Sequence, residues 1–186
     1  MVENDGTCVS GVNVLGQRAA LEQLVGEEAF KAALDKLPAS FRATYDTVTP
    51  LSWVPIPILE TMLLTVAEHT GRDPQSLQAE SVRMSVERTL RTVWRVLLRF
   101  TSDDALVSRT PVFYNKTFNR GALATKIVTP GCAEIVLTGW PEVPSLQLLA
   151  LGVGIEGVLY AAGRRELRSS CERTADGARY TVSWRV

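Results

Sequence analysis

Apolar residues recur at helical spacing through the first half of the chain and at strand spacing near its end. Leu15, Ala19, Leu21, Leu24 and Val25 predict a helix from Val14 onward. Gly26 interrupts it, and Glu27–Glu28 open a second piece with Phe30, Ala33, Leu34 and Leu37 as its apolar positions, ended by Pro38. Pro50, Pro55 and Pro57 crowd a linker holding Trp53 and Ile56, with Pro57 suited to the first turn of a helix over 58–69. Leu59, Met62, Leu63 and Val66 share one side of that helix, and Gly71 is its candidate C-cap. Asp73-Pro74 then pairs an N-cap acid with a first-position proline. The helix they start should reach Phe100, because Val82, Val86, Leu90, Val93, Leu97 and Phe100 step by three and four. Ser102-Asp103-Asp104 starts a short helix to about Tyr114, its acids and Glu27–Glu28 both favouring a helix dipole.

The pattern changes after Asn119. Residues 122–129 and 133–137 read as strands around a Pro130-Gly131 turn. Pro144 to Ala162 reads as one apolar helix with Leu146, Leu149, Val153 and Val158 as core candidates and Gly163 as C-cap. Gly152, Gly154 and Gly157 weaken it, which close packing on a sheet would explain. Residues 166–173 and 178–186 form a hairpin whose Asp176-Gly177 pair favours a tight turn. Tyr180, Val182 and Trp184 alternate with polar residues, as in a half-buried strand. Helices followed by strand-strand-helix-strand-strand make this an α+β fold with an antiparallel sheet. Residues 1–13 are expected to be a flexible arm or a short first strand, and 14–186 a single α+β domain.

Composition narrows the function classes. The 186 residues are 46% hydrophobic and 22% charged, and twenty basic residues cancel twenty acidic ones. Zero net charge argues against bulk-charge binding to nucleic acid or an anionic membrane. No apolar run would span a bilayer, and Met1–Ser10 lacks the core of a signal peptide, so the expected location is the cytoplasm. Residues 1–82 hold 5 basic and 11 acidic groups, residues 83–186 hold 15 and 9, giving −6 and +6. Such asymmetry suits either mutual folding of the halves or a docked partner.

Candidate chemistry is sparse. Cys8, Cys132 and Cys171 are far apart and match no zinc or redox spacing; the strand positions of Cys132 and Cys171 suggest neighbouring buried thiols. A base for hydrolytic chemistry could only be His69, and its sequence neighbour Glu68 would not face it on a helix. Neither a phosphate-cradling glycine loop nor a metal triad occurs, so no enzyme, cofactor or metal is expected. Arg88, Arg91, Arg95 and Arg99 form a one-sided stripe on the long helix. It could dock an acidic partner, be a solvated face, or pair with the acidic N-terminal half.

Four segments carry a family resemblance: Thr110-Pro111-Val112-Phe113-Tyr114-Asn115, Leu137-Thr138-Gly139-Trp140-Pro141, Gly154-Ile155-Glu156-Gly157 and Tyr180-Thr181-Val182-Ser183-Trp184. In this order they resemble a myxobacterial family of paralogous proteins with no assigned activity. That family is related in fold to haem-NO-binding domains, vinyl-reductase-type sensor domains and the small subunits of the TRAPP transport particle. The resemblance implies an N-terminal helical layer packed on a four-stranded antiparallel sheet, often with an apolar pocket and often dimeric. It does not bring haem with it. Haem-binding relatives need an axial histidine within the helical layer and a Tyr-x-Ser-x-Arg spacing, whereas this chain has His69 near a helix end and no such string. The lipid-modified cysteine of the TRAPP subunit has no helical counterpart, and the cysteine cluster of vinyl-reductase-type sensors is reduced to Cys171.

Two functions are therefore expected. One is a non-enzymatic interaction or sensory module, a homodimer or one docked on another bacterial protein through Arg88, Arg91, Arg95 and Arg99. The other is a binder of a small apolar ligand such as a fatty acid, with Trp53, Met62, Val66, Met84, Val93 and Trp94 lining a cavity between helices and sheet, or else filling a core.

Overall fold

The computed structural model describes residues 6–90, 98 and 101–185. They fall into two compact units, one drawn from residues 1–85 with 117–119 and the other from 86–116 with 120–186.

The first unit opens on strand β1 (Cys8–Ser10), antiparallel to β2 (Trp53–Pro55), with Val9 opposite Val54. The arm is thus a strand from Cys8, and the proline-rich linker supplies its partner. Asn119 ties this ribbon down: its Oδ1 accepts from Cys8 N at 2.6 Å and its Nδ2 donates to the Gly6 carbonyl at 2.8 Å. Helix α1 (Gly11–Val25) begins on a glycine because a Cβ there would lie 1.9 Å from the Thr49 carbonyl oxygen. Helix α2 (Glu27–Leu34) follows, then α3 (Ala39–Asp46), which the apolar pattern did not predict. It buries Tyr45 alone, and on its exposed side Arg42 bonds Asp35 at 2.9 Å and Asp46 at 2.5 Å.

Helix α4 (Ile56–Thr70) has Pro57 in its first turn and the left-handed Gly71 as cap, as expected. It buries Ile56, Ile58, Leu59, Met62, Leu63, Val66 and Ala67 and packs on α2. Helix α5 (Pro74–Leu90) starts where Asp73 caps it, Oδ2 accepting from Ser76 N at 2.8 Å, a bond that holds the Asp73 carboxyl below its usual range. Its buried positions are Leu77, Gln78 and Ser81, whereas Val82, Val86 and Leu90 are only half-buried. The polar positions go inside because they have partners: Gln78 Oε1 accepts from Gln17 Nε2 of α1 at 2.6 Å. Of the predicted continuation to Phe100, Leu98 is helical and buried; Val93, Leu97 and Phe100 lie outside the described residues.

The second unit holds α6 (Asp103–Thr117), β3 (Ala122–Thr129), β4 (Cys132–Thr138), α7 (Ser145–Ala161), β5 (Arg165–Thr174) and β6 (Gly177–Arg185). The four strands form one antiparallel sheet in the order β3-β4-β6-β5, so the architecture is α+β with the expected strand-strand-helix-strand-strand half. One sheet face is buried through Ala133, Ile135, Leu137, Ala178, Tyr180, Val182 and Trp184, and the alternate positions of β6 turn outward. Helix α7 packs on β5 and β6. Of its apolar positions singled out by spacing, Val153 is buried and Leu146, Leu149 and Val158 are half-buried.

The α7 glycines divide by cause. A Cβ on Gly152 would meet the Tyr180 ring at 3.4 Å, one on Gly157 would meet Val86 of α5 at 2.9 Å, and one on Gly154 would meet nothing. Sheet packing therefore explains Gly152 alone. Cys132 and Cys171 are not neighbours, since β6 runs between their strands, and Cys171 is exposed rather than buried. No described helix is long and apolar enough to cross a membrane.

Candidate functional site

Two constellations centre on polar side chains held away from water, one in each unit. In the first unit, α1 and α3 bring Arg18 over the Tyr45 ring, guanidinium carbon to ring centre 5.4 Å. Tyr45 is 1% exposed, and its hydroxyl has no hydrogen-bond partner among the described residues. Burial pushes this phenol far up, so it stays a protonated donor. The fully buried Met62 and Val66 lie on α4 of the same unit, and Met84 is half-buried on α5. Trp53 does not join a buried set: it stands 48% exposed on β2. Val93 and Trp94 lie outside the described residues.

The second constellation is built on α6 of the second unit. Arg164 Nε and Nη2 donate to Asp103 Oδ1 at 2.8 and 2.6 Å, while Trp184 Nε1 donates to Asp103 Oδ2 at 3.1 Å. The same guanidinium donates to the carbonyls of Ala162 and Thr101 at 2.6 and 2.7 Å. This joins the start of α6 to one end of the β5–β6 hairpin, where β5 begins and β6 ends. Its groups are fully engaged with one another, so it is a structural clasp. The acids of Asp103–Asp104 are thereby distinguished: Asp103 carries the clasp, and Asp104 is exposed.

The arrangement offers little acid–base chemistry. His69 sits in the last turn of α4 with Nδ1 2.8 Å from Lys36 Nζ. Glu27 is held below the usual carboxylate range by its bond to Lys31 on the open surface. Burial raises the half-buried Glu60. Among the described residues no group of three His, Cys, Asp or Glu side chains could hold a metal ion. The Tyr114 hydroxyl donates to the Arg120 carbonyl at 2.6 Å and the Tyr180 hydroxyl to the Leu148 carbonyl at 2.9 Å, and burial pushes both phenols up. Arg88 is exposed in the last turn of α5; Arg91, Arg95 and Arg99 lie outside the described residues. Spacing could not single out Tyr45 or Asp103. Tyr45 stood in an unassigned stretch, and the partners of Asp103 are sixty or more positions away.

No protein-family model and no curated protein sequence matches the chain. Solved structures do. An H-NOX domain related to soluble guanylate cyclases, described as oxygen-binding and seen in its oxygen complex, matches with a TM-score of 0.68 and 15% identity, covering 95% of each chain. A mutant of the Fe(II) unliganded H-NOX protein from K. algicida matches at 0.71 with 10% identity, over 95% of this chain and 97% of that one. A structure concerned with haem redox potential and protein-induced porphyrin distortion matches at 0.67 with 15% identity, over 95% and 99%. At these identities the likeness is one of fold.

Proposed function

We propose that this chain uses the H-NOX fold as the scaffold of a non-enzymatic interaction or sensory module, in a bacterial cytoplasmic signalling or trafficking-like system. It works as a homodimer or against another bacterial protein, both units acting as one domain. The observation that carries the reading is a fold shared with haem sensors together with a donor set that does not suit haem. The resemblance to the myxobacterial paralogues, and through them to vinyl-reductase-type sensors and TRAPP small subunits, points the same way.

Haem iron is held inside the protein by an imidazole, alone or paired with a thioether, by a thiolate or by a phenolate. The only histidine is at a helix end against Lys36, burial holds the phenols of Tyr45, Tyr114 and Tyr180 protonated, and Cys171 is exposed on a strand. The haem of the neighbours therefore does not fit here. Titrating the full chain with hemin should give no saturable Soret band; a one-to-one band lost in His69→Ala would contradict this.

The arginine stripe is the proposed docking surface. Sequence spacing would set Arg88, Arg91, Arg95 and Arg99 on one helical side, where an acidic partner would gain charge-assisted, bidentate contacts. In affinity capture from the host, Arg91→Glu with Arg95→Glu should reduce the recovered partners by about tenfold, as expected for losing one or two charge-assisted contacts, without unfolding the chain. Unchanged capture profiles would count against the docking role.

One observation in the first unit favours the second reading, a binder of a fatty acid or similar apolar ligand, for which the sequence offered Trp53, Met62, Val66, Met84, Val93 and Trp94. The Tyr45 hydroxyl is a buried donor without an acceptor, and a buried unpaired group is costly until something bonds it. Fatty acids should then raise the melting temperature of the chain and not of Tyr45→Phe. No stabilisation of either protein removes this reading.

A further inference from the structure

The sheet leaves one long edge open with a register of its own. In the order β3-β4-β6-β5, the strand β5 is bonded on one side only among the described residues. Its ladder with β6 is irregular between Arg165 and Arg168 and regular from Arg168 to Thr174. Residues 168–173 are all exposed, with no proline or lysine among them. Natural edges are usually blunted by such residues or by bulges. The opposite edge, β3, has both devices: Lys126 at its middle and an irregularity between Ile127 and Thr129.

Symmetry restricts how β5 could meet a second copy of itself. Antiparallel neighbours in one sheet are related by a two-fold axis normal to the sheet, so each residue faces one of like parity and the axis passes through a residue. An axis at Ser169 opposes Glu166 to Glu172 and Arg165 to Arg173, like charge to like. Axes at Arg168 or Glu172 oppose each of those to itself, and one at Cys171 opposes no charges. An axis at Ser170 places Arg168 of each copy opposite Glu172 of the other. Both side chains lie on the open sheet face, because their β6 partners are Ser183 and Arg179, which alternate with the buried Tyr180 and Val182. Arg179 itself pairs with Glu134 at 3.4 Å.

We propose that β5 is a self-complementary edge through which two copies join their sheets, paired about Ser170 by reciprocal Arg168–Glu172 contacts. This rests on the reading of the chain as a protein-contact module and specifies which surface makes the contact. Backbone hydrogen bonds across Arg168–Glu172 supply the attraction, and the two charge pairs select the register.

Sedimentation velocity of the full chain over a range of concentrations tests it, with circular dichroism to verify folding. The wild type should form a dimer. Glu172→Arg, and independently Arg168→Glu, sets like charges opposite each other twice and should weaken the dimer by about tenfold. The double swap of Arg168→Glu with Glu172→Arg should restore it. A wild type that stays monomeric, a dimer indifferent to the single changes, or a double swap that stays weak overturns the proposal. Such a result leaves the haem-free sensor reading standing, because the hemin titration decides that separately.

Discussion

Asp103→Ala should lower the stability of the chain by about 3 kcal/mol, the loss expected when one partner of a largely buried ion pair is removed. In a chain of this size that is a fall of roughly 6–12 °C in Tm. The side chains of Arg164 and Asp103 are 14% and 28% exposed, so the guanidinium left behind keeps its charge with little water to solvate it. The Trp184 indole N–H loses its acceptor in the same step. The carbonyls of Ala162 and Thr101 still hold the arginine, which keeps the loss below that of a fully stranded charge. Asp104→Ala is the control: it removes an exposed first-turn acid, worth about 0.3–1 kcal/mol through the helix dipole. Calorimetric scans of the two variants should differ by several degrees; equal shifts would mean that the clasp does not hold α6.

Gly177→Ala should be as damaging, by about 3 kcal/mol, for a steric reason. The Asp176-Gly177 pair read as a tight turn, yet the turn residues are Ala175 and Asp176, and Gly177 is the first residue of β6 opposite Thr174. A Cβ there would lie 2.3 Å from the Leu137 carbonyl oxygen and 2.9 Å from its carbon. Backbone in the middle of a sheet cannot retreat as a side-chain tip can, so β6 must shift from β4. Gly154→Ala is the opposite case. Nothing lies near its Cβ, and alanine in a helix gains up to about 1 kcal/mol over glycine. Denaturant midpoints should move in opposite directions for the two; a Gly177→Ala midpoint at or above wild type would refute the close approach.

These two sites mark the limit of what the sequence discloses. The order of helices and strands was legible because α4, β4 and β6 keep a clean apolar period and sit between strong punctuation such as Gly71, Asp73-Pro74 and Pro130-Gly131. Periodicity failed where burial is not apolar. The inward side of α5 is Leu77, Gln78 and Ser81, and its polar members can be buried because Gln17 meets Gln78 and Ser81 Oγ donates to the Gln78 carbonyl, the first a pairing that sequence distance conceals. Helix α3 was invisible because Tyr45 is its one buried residue, too few to show an apolar period. The candidate ligand set separated for a similar reason: Met62 and Val66 lie on a buried helical face, whereas Trp53 lies on a two-stranded ribbon that leaves it half open.

If the H-NOX-like fold serves protein contact without the neighbours' haem, native mass spectrometry of the chain, purified from its host without detergent, should show protein-only species, either two copies of the chain or the chain with a second protein. A stoichiometric haem, or the chain alone carrying an apolar small molecule, would contradict it.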